Sequence, residues 1–352
     1  SDPTPTPTPR PAAATATPTA TLTLEEQLYK DALAANDGKI SWVFPTRAEQ
    51  GKPITEAFEA QYPGLNVELT TKSTSEVIEG LLLEDKANKV TIDVADPGRD
   101  GRVLERKIMS DNSDIFDDVG IAKGARYGDG QATLYIPLAH GVMYNTDRVK
   151  GADIPQTYED LLDPKWKGDL VLEDRLKGFI YLTDIPAYNG RFENLWSEEK
   201  ILDFLTKLKA QKPLIMHGNT TVGNAVASGE AAISPDVNIA SIGNAIKKGQ
   251  PVAMAPVTPN AVEQWLIGAV AKGPNPAGGR LFLRWMLNVD QGVKTRVKVQ
   301  PGTSMDPASG DIMALHIAKL PPLKIGYTGI EIAKEFSRLQ KAYRAALGIP
   351  VS

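Results

Sequence analysis

The sequence predicts an α/β protein of two lobes that are joined by two hinge strands, with a ligand cleft between the lobes. The chain has 352 residues, which is more than one ordinary core accommodates. Strand-like and helix-like stretches alternate along it, as is typical of open α/β sheets. Two long apolar runs, residues 132–144 and 262–270, are extended enough to carry the chain from one lobe to the other and back.

We divide the chain into four segments on this basis. Residues 1–23 are a Pro/Thr-rich segment, 24–139 the first part of lobe 1, 140–256 lobe 2, and 257–352 the return to lobe 1 with the C-terminal helices. Six of the 26 prolines fall in the first 18 positions. Such a composition cannot bury a core, so we expect an extended tether of roughly 70 Å or a disordered end without a role.

Composition and charge exclude several classes of function. The net charge of −4 gives no basic patch for nucleic acid. The chain has no cysteine, which excludes thiol catalysis, disulfides and thiolate metal sites. No apolar run is long enough to span a membrane. No signal peptide is present, so an exported protein would have this chain as its mature form.

The individual elements follow from local patterns. Helices are predicted over 24–35, 157–162, 198–209, 219–228, 276–287 and 329–347, and strands over 39–44, 90–95, 169–172 and 229–233. Ser73 and Glu76 have the spacing of a capping box, so a helix begins there. The NTT sequence at 219–221 predicts a second helix cap. Asp96-Pro97-Gly98 is a turn sequence that ends the strand before it.

Three phrases of the sequence resemble one protein family. YNTDRVKGADIPQTYEDLLDPKWKGDL (144–170) is similar to the middle of extracellular solute-binding proteins, the ligand-capturing components of ABC importers. ITEAFEAQYPGLNVEL (54–69) and VASGEAAI (226–233) also resemble that family, so the similarity covers roughly 39–299. The resemblance implies the two-lobed type II periplasmic-binding-protein-like fold and a membrane permease as partner. It implies a monomer outside the cell membrane or in the periplasm, which the tether and a lipid-bearing cysteine before Ser1 would anchor to the membrane's outer face.

Catalytic chemistry finds little support in the sequence. His140, His217 and His316 are far apart and share no metal-ligand spacing. There is no nucleophile elbow, P-loop or dinucleotide-binding motif. Thiamine-cleaving enzymes resemble binding proteins, but they use a cysteine nucleophile that this chain lacks. We therefore predict no enzyme activity, no cofactor and no metal site.

The fold itself selects the candidate ligand-binding residues, because ligands of such folds lie beside strand ends and helix N-termini. Each candidate alone also fits a cap, a turn or a surface charge, and we expect about half of the set to touch ligand. Trp42, Phe44, Tyr181 and Trp265 are either walls of the cleft or core residues. The candidates are Thr46, Arg47, Ser73, Thr74, Ser75, Asp96, Arg99, His140, Arg175, Thr220, Asp236 and Asn238.

The ligand's chemical class is less well determined. The matched phrases are most similar to the branch that binds ferric ions, polyamines, thiamine and phosphonates. Its ferric-ion binders carry a tyrosine pair after the GEAAI-like strand, whereas this chain has SPDVNIAS at 234–241. The arginines favour an anion, and the carboxylates favour a cation or zwitterion. We predict a small organic anion or zwitterion, with ferric-ion binding or a tethered sensor domain as alternatives.

Asp236 and Asn238 are the predicted contacts from lobe 2. Both residue types can accept from backbone donors at a helix start while they offer a second polar atom to a ligand. The alternative is that Asp236 only caps its helix.

Overall fold

The structure, a computed structural model, describes residues 22–45, 47–99 and 101–350. The predicted tether, except for its last two residues, and the candidate Thr46 lie outside the described residues. The described chain enters its first helix through a capping box, in which the Thr23 side chain accepts from the backbone N–H of Glu26 at 3.2 Å and the Glu26 side chain accepts from Thr23.

The elements alternate as the sequence predicts. The α-helices are α1 (Leu24–Ala34), α2 (Ala48–Gln61), α3 (Thr74–Lys86), α4 (Arg102–Glu105), α5 (Ser113–Asp118), α6 (Lys177–Tyr181), α7 (Glu198–Leu208), α8 (Asn219–Ser228), α9 (Ile239–Lys247), α10 (Pro276–Leu287), α11 (Lys294–Val299), α12 (Ile312–Ile317) and α13 (Ile332–Leu347). The strands are β1 (Lys39–Phe44), β2 (Asn66–Thr71), β3 (Val94–Ala95), β4 (Arg126–Tyr127), β5 (Ala132–Asn145), β6 (Val171–Glu173), β7 (Thr183–Asp184), β8 (Trp196–Ser197), β9 (Leu214–Met216), β10 (Ile233–Asn238), β11 (Val252–Met254), β12 (Asn260–Ala269) and β13 (Ile325–Gly326).

The largest sheet runs through both lobes in the order β10-β5-β12-β3-β1-β2. Two adjacent strands of this sheet, β5 and β12, are the predicted crossings, and they pair antiparallel with Val262 opposite Ala139. The first lobe contributes the parallel pair β1 and β2, where Trp42 lies opposite Leu69. The two hinge strands therefore form the part of the sheet that connects the two lobes.

An aromatic core holds the first lobe together. Trp42 is fully buried, and its ring lies edge-on to Phe282 at 5.2 Å. Phe58 of α2 packs edge-on against the same Phe282 at 4.9 Å. Phe44 is also buried, so Trp42 and Phe44 are core residues and not walls of a cleft. Burial of such aromatic side chains is a large part of the hydrophobic stabilisation of a domain.

The C-terminal part of the chain crosses between the lobes once more. Helices α10 and α11 pack against α1 and α2 of the first lobe, whereas α12 packs against α9, and α13 against α6 and α7. Residues 300–311 connect the two groups. The sequence predicts that residues 257–352 return to lobe 1, but the last two helices contact α6, α7 and α9, which belong to the segment predicted as lobe 2. The lobe boundaries themselves stay a prediction.

Several predicted elements differ from those in the structure. The strand predicted at 229–233 begins only at Ile233, because Gly229 has a left-handed φ of 78° and ends α8. The predicted helix 157–162 is a 3₁₀-helix, Glu159–Leu162, that stops before Pro164. The strand predicted at 90–95 narrows to Val94–Ala95. The cap predicted at 219–221 is wrong: α8 has Gly218 as its N-cap without a side-chain hydrogen bond.

Candidate functional site

A cavity of about 400 Å³ lies between the two lobes, and we call it the α2–α9 cavity. The first lobe contributes the start of α2, and the second lobe contributes α8 and α9 with the turn that follows α9. Its lining residues are Arg47, Gln50, Thr220, Gly223, Asn224, Asn238, Ala240, Ser241, Asn244, Ala245, Lys248 and Gln250. A smaller cavity of about 150 Å³ shares Gln50, Ala240 and Asn244 with it and extends to Trp265 on the hinge strand β12.

Helix starts dominate this cavity. Arg47 is the N-cap of α2, and Asn238 is the N-cap of α9, where its Oδ1 accepts from the N–H of Ser241 at 2.9 Å. The backbone N–H of Asn238 donates in turn to the Asn219 side chain at 3.0 Å, which joins the starts of α8 and α9. Helix N-termini carry partial positive charge, so three of them at one cavity favour an anion.

The side-chain charges of the α2–α9 cavity have the same sign. Arg47 and Lys248 are both exposed, one from each lobe, and no carboxylate lies among the described residues that line the cavity. The remaining polar groups are hydroxyls and amides, which hydrogen-bond to hydroxyls or to an anion's oxygens. The lining therefore combines two cations with neutral hydrogen-bonding groups.

A second polar region lies at the hinge, and here the charges are buried. We call it the Glu263 cluster, and it consists of Arg99, His140, Lys177, Asp236 and Glu263. One oxygen of Glu263 accepts from Lys177 Nζ at 3.0 Å and lies 3.5 Å from Arg99 Nη1, while the other lies 3.8 Å from His140 Nε2. The side chain of Glu263 is only 4% exposed. Burial alone would raise the pKa of Glu263, but His140, Lys177 and Arg99 together lower it.

Asp236 belongs to this cluster and not to a helix cap. Its Oδ1 lies 2.6 Å from His140 Nδ1, and its Oδ2 accepts from the N–H of Gly178 at 3.0 Å. A Cβ at Gly178 would lie 2.1 Å from the carboxylate, so only glycine permits this approach. Burial would lower the pKa of His140, but Asp236 and Glu263 raise it to about 9, so the imidazole is charged at neutral pH.

The structure separates the candidates predicted from sequence into three groups. Arg47, Thr220 and Asn238 line the α2–α9 cavity. Arg99, His140 and Asp236 meet in the Glu263 cluster; Asp96 lies near Arg99, accepts from Gly98 N–H at 2.9 Å and lies 3.4 Å from the Thr74 hydroxyl. Ser73, Ser75 and Arg175 remain outside both regions, because Ser73 caps α3, Ser75 is exposed, and Arg175 pairs with Glu173.

Sequence reasoning missed Lys177, Lys248 and Glu263. Glu263 could have been found, since it is the one charged residue in the apolar run AVEQWLIGAV, where an isolated carboxylate must be paired. The local sequence gives no comparable signal for the two lysines, because lysine is common on any solvated helix. Only the way the lobes come together places these lysines at the cavity and at the cluster.

The described residues offer no metal-binding cluster, and two of the histidines lie outside both polar regions. Among them, no group of three or more histidines and carboxylates is placed to hold a metal ion. His316 accepts from the N–H of Met254 at 3.3 Å, and His217 lies 3.1 Å from Asp174. No described helix has the length and apolar character that crossing a membrane requires.

Comparison with known proteins identifies the family that shares this architecture. The chain is similar over residues 46–293 to the family model described as bacterial extracellular solute-binding protein. It is 24% identical over 262 residues to iron uptake protein A1 of Synechocystis sp. (strain ATCC 27184 / PCC 6803 / Kazusa). The aligned region covers 66% of this chain and 70% of that protein.

Solved structures share the fold. The apo ferric ion-binding protein A of Pasteurella haemolytica matches with a TM-score of 0.65 at 15% identity, over 90% of this chain and 99% of that one. The periplasmic binding protein AfuA of Actinobacillus pleuropneumoniae, with fructose-6-phosphate bound, matches with a TM-score of 0.60 at 17% identity, over 90% and 100%. The predicted type II fold is confirmed, and the chain belongs to the bacterial extracellular solute-binding proteins, which bind small ligands for ABC importers and deliver them to a membrane permease.

Proposed function

We propose that this protein captures a small, hydroxylated organic anion in the α2–α9 cavity and delivers it to its permease. The observation that carries the proposal is the lining of that cavity, with one cation from each lobe, three helix starts and no described carboxylate. An anion there would contact both lobes, so its binding would favour closure about β5 and β12. The protein would act as a monomer and bind without turnover.

Iron is the main alternative, because a relative is named an iron uptake protein and one similar structure holds iron and citrate. A bare ferric ion requires several anionic oxygens. The α2–α9 cavity supplies none among its described residues, and positions 234–241 contain no tyrosine. A complex of iron with an organic acid presents anionic oxygens to the protein instead, so it is compatible with the same cationic lining.

The test compares citrate, fructose 6-phosphate and ferric citrate by isothermal titration calorimetry. Arg47→Gln should weaken binding of the preferred anion about 5- to 30-fold, because a charge-assisted hydrogen bond is lost. Lys52→Gln is the matched control, since Lys52 is an exposed residue of the same helix that does not line the cavity. Equal effects of the two substitutions would contradict the proposed site.

The outcomes also separate the ligands. Binding of ferric ion with a tyrosinate absorption band, and no binding of any anion, would replace the proposal with iron capture. Small-angle scattering with and without the bound anion should show a smaller radius of gyration in the complex, and identical curves would contradict closure.

The anchoring of this protein is part of the same proposal. The family is extracellular, and the Pro/Thr-rich segment 1–23 would hold the domain away from a lipid anchor. Removal of residues 1–23 should leave the affinity unchanged. A precursor without a cysteine between its signal peptide and Ser1 would contradict the lipid anchor. A sensor role for the tethered domain would instead require a signalling partner in place of the permease.

A further inference from the structure

We propose that the ligand of the α2–α9 cavity carries a flat, uncharged ring with one hydrogen-bond acceptor, and that this ring enters the smaller cavity beside Trp265. We call that cavity, of about 150 Å³, the Trp265 compartment. It shares Gln50, Ala240 and Asn244 with the α2–α9 cavity, so one molecule can occupy both. The inference rests on the proposed function and narrows the class of anion that the protein binds.

The walls of the Trp265 compartment are largely apolar. Ile136 and Leu138 of β5 form one side with Trp265 of β12, and Pro301 lies on the wall that the C-terminal part of the chain contributes. No charged side chain is among the described residues that line it. A charged group there would lose its hydration without a partner, whereas an apolar ring gains by leaving water.

The polar side chains of the Trp265 compartment are already hydrogen-bonded within the protein. Gln300 Nε2 donates to Gln50 Oε1 at 2.9 Å. The Thr303 hydroxyl donates to the carbonyl of Gln300 at 2.6 Å and accepts from Arg296 Nε at 3.3 Å. Asn244 Nδ2 donates to a carbonyl of its own helix at 2.8 Å. These groups therefore do not require hydrogen bonds from a ligand.

The indole N–H of Trp265 is the exception. Trp265 Nε1 is buried and has no acceptor in the described structure. An indole nitrogen can only donate, and a buried donor without an acceptor is costly. A carbonyl oxygen on the ligand would satisfy it. The compartment thus favours an apolar ring that carries one acceptor.

Arg296 disfavours a cationic group in the same place. It is 3% exposed, and its guanidinium lies over the Tyr135 ring at 4.3 Å. It donates to the hydroxyl and the carbonyl of Thr303, which lines the compartment, while Nη1 is buried without an acceptor. No described carboxylate forms a salt bridge with it, and like charges repel more strongly in a buried setting. The ammonium group of a zwitterion is therefore excluded from the Trp265 compartment.

The test compares methyl, phenyl and 4-acetylphenyl β-D-glucuronide by calorimetry on the full chain. All three are hydroxylated monoanions, and they differ only in the ring and its carbonyl acceptor. The phenyl compound should bind about tenfold tighter than the methyl compound, because its ring buries apolar surface. The acetyl carbonyl should add about fivefold by accepting from Trp265.

Trp265→Phe removes the N–H and keeps a flat apolar wall. It should reduce the advantage of the 4-acetylphenyl over the phenyl compound from about fivefold to about one. Trp196→Phe is the matched control, since Trp196 lines neither cavity, and it should keep the fivefold advantage. Circular dichroism checks that both variants are folded, and the comparison of the three compounds on the unaltered protein does not depend on either variant.

Three results would overturn this inference and leave the proposed function intact. They are equal affinities for the methyl and phenyl compounds, an unchanged advantage of the acetyl group in Trp265→Phe, or binding of citrate that depends on Arg47 without binding of any glucuronide. If Arg47→Gln weakens no anion at all, the proposed function is contradicted, and this inference fails with it.

Discussion

The α2–α9 cavity and the Glu263 cluster both contain cations from the two lobes, but the cations are partnered differently. Arg47 and Lys248 are exposed, and the cavity between them has no described carboxylate. Arg99 and Lys177 are mostly buried and converge on Glu263, which is 4% exposed. Exposed cations without partners remain available to a ligand, whereas buried cations must be compensated within the fold. The same residue types therefore serve binding in one region and mainly structure in the other.

The largest expected effect is on stability, from Glu263→Gln. This substitution leaves Arg99 and Lys177 without the charged carboxylate they share, and leaves charged His140 with Asp236 alone. Removal of one partner from a buried ion pair costs about 3–5 kcal/mol of unfolding free energy. Urea unfolding measures it, and Glu230→Gln, at an exposed turn position, should change stability by less than about 0.5 kcal/mol. A loss below about 1 kcal/mol for Glu263→Gln would mean that the cluster does not stabilise the hinge.

The next effect is the pH dependence of stability that comes from His140. Its pKa is about 9 in the folded protein and about 6.5 in an unfolded chain. The folded state binds the proton of His140 more tightly than the unfolded chain does. The contribution of His140 to the free energy of unfolding is therefore complete below about pH 6.5 and is lost as the pH rises through about 9. The free energy of unfolding should fall by about 3 kcal/mol between these two pH values.

Unfolding in urea at a series of pH values measures this loss, and His140→Gln should remove it. Asp96 provides an internal comparison, since burial raises its pKa to about 6. A carboxyl with a raised pKa loses its contribution as the pH rises from about 4 through about 6, so its window lies below that of His140. An unchanged slope above about pH 6.5 in His140→Gln would show that another group is responsible.

The smallest effect concerns ionic strength. Exposed charges are screened by salt and buried charges much less so. A rise from about 20 mM to about 500 mM NaCl should weaken binding of the hydroxylated anion at Arg47 and Lys248 several-fold, and should reduce the stability loss caused by Glu263→Gln by a smaller factor. Calorimetry and urea unfolding at the two salt concentrations measure the two effects, with Glu230→Gln as the control for general effects of salt on stability. A stronger salt dependence for the stability loss caused by Glu263→Gln would reverse the contrast between the two regions.

The sequence by itself determined the family and many of the elements, though not all of their bounds. The bounds of β1, the capping box of Ser73 and Glu76, and the two hinge strands follow from local patterns, since capping, burial and strand length depend on neighbouring residues. The phrases at 54–69, 144–170 and 226–233 predicted the solute-binding family, and the family model confirms it.

Only the tertiary structure decided which polar side chains meet. Asp236 and Asn238 are two residues apart, yet Asp236 faces His140 and Gly178 while Asn238 caps α9 at the α2–α9 cavity. A register shift in the pairing of β10 with β5 lies between Ser234 and Val237, so simple alternation along the strand does not apply there. Lys177 and Glu263 are 86 positions apart and meet only after the lobes have folded. Long-range contacts of this kind depend on the packing of whole lobes, and no local pattern contains them.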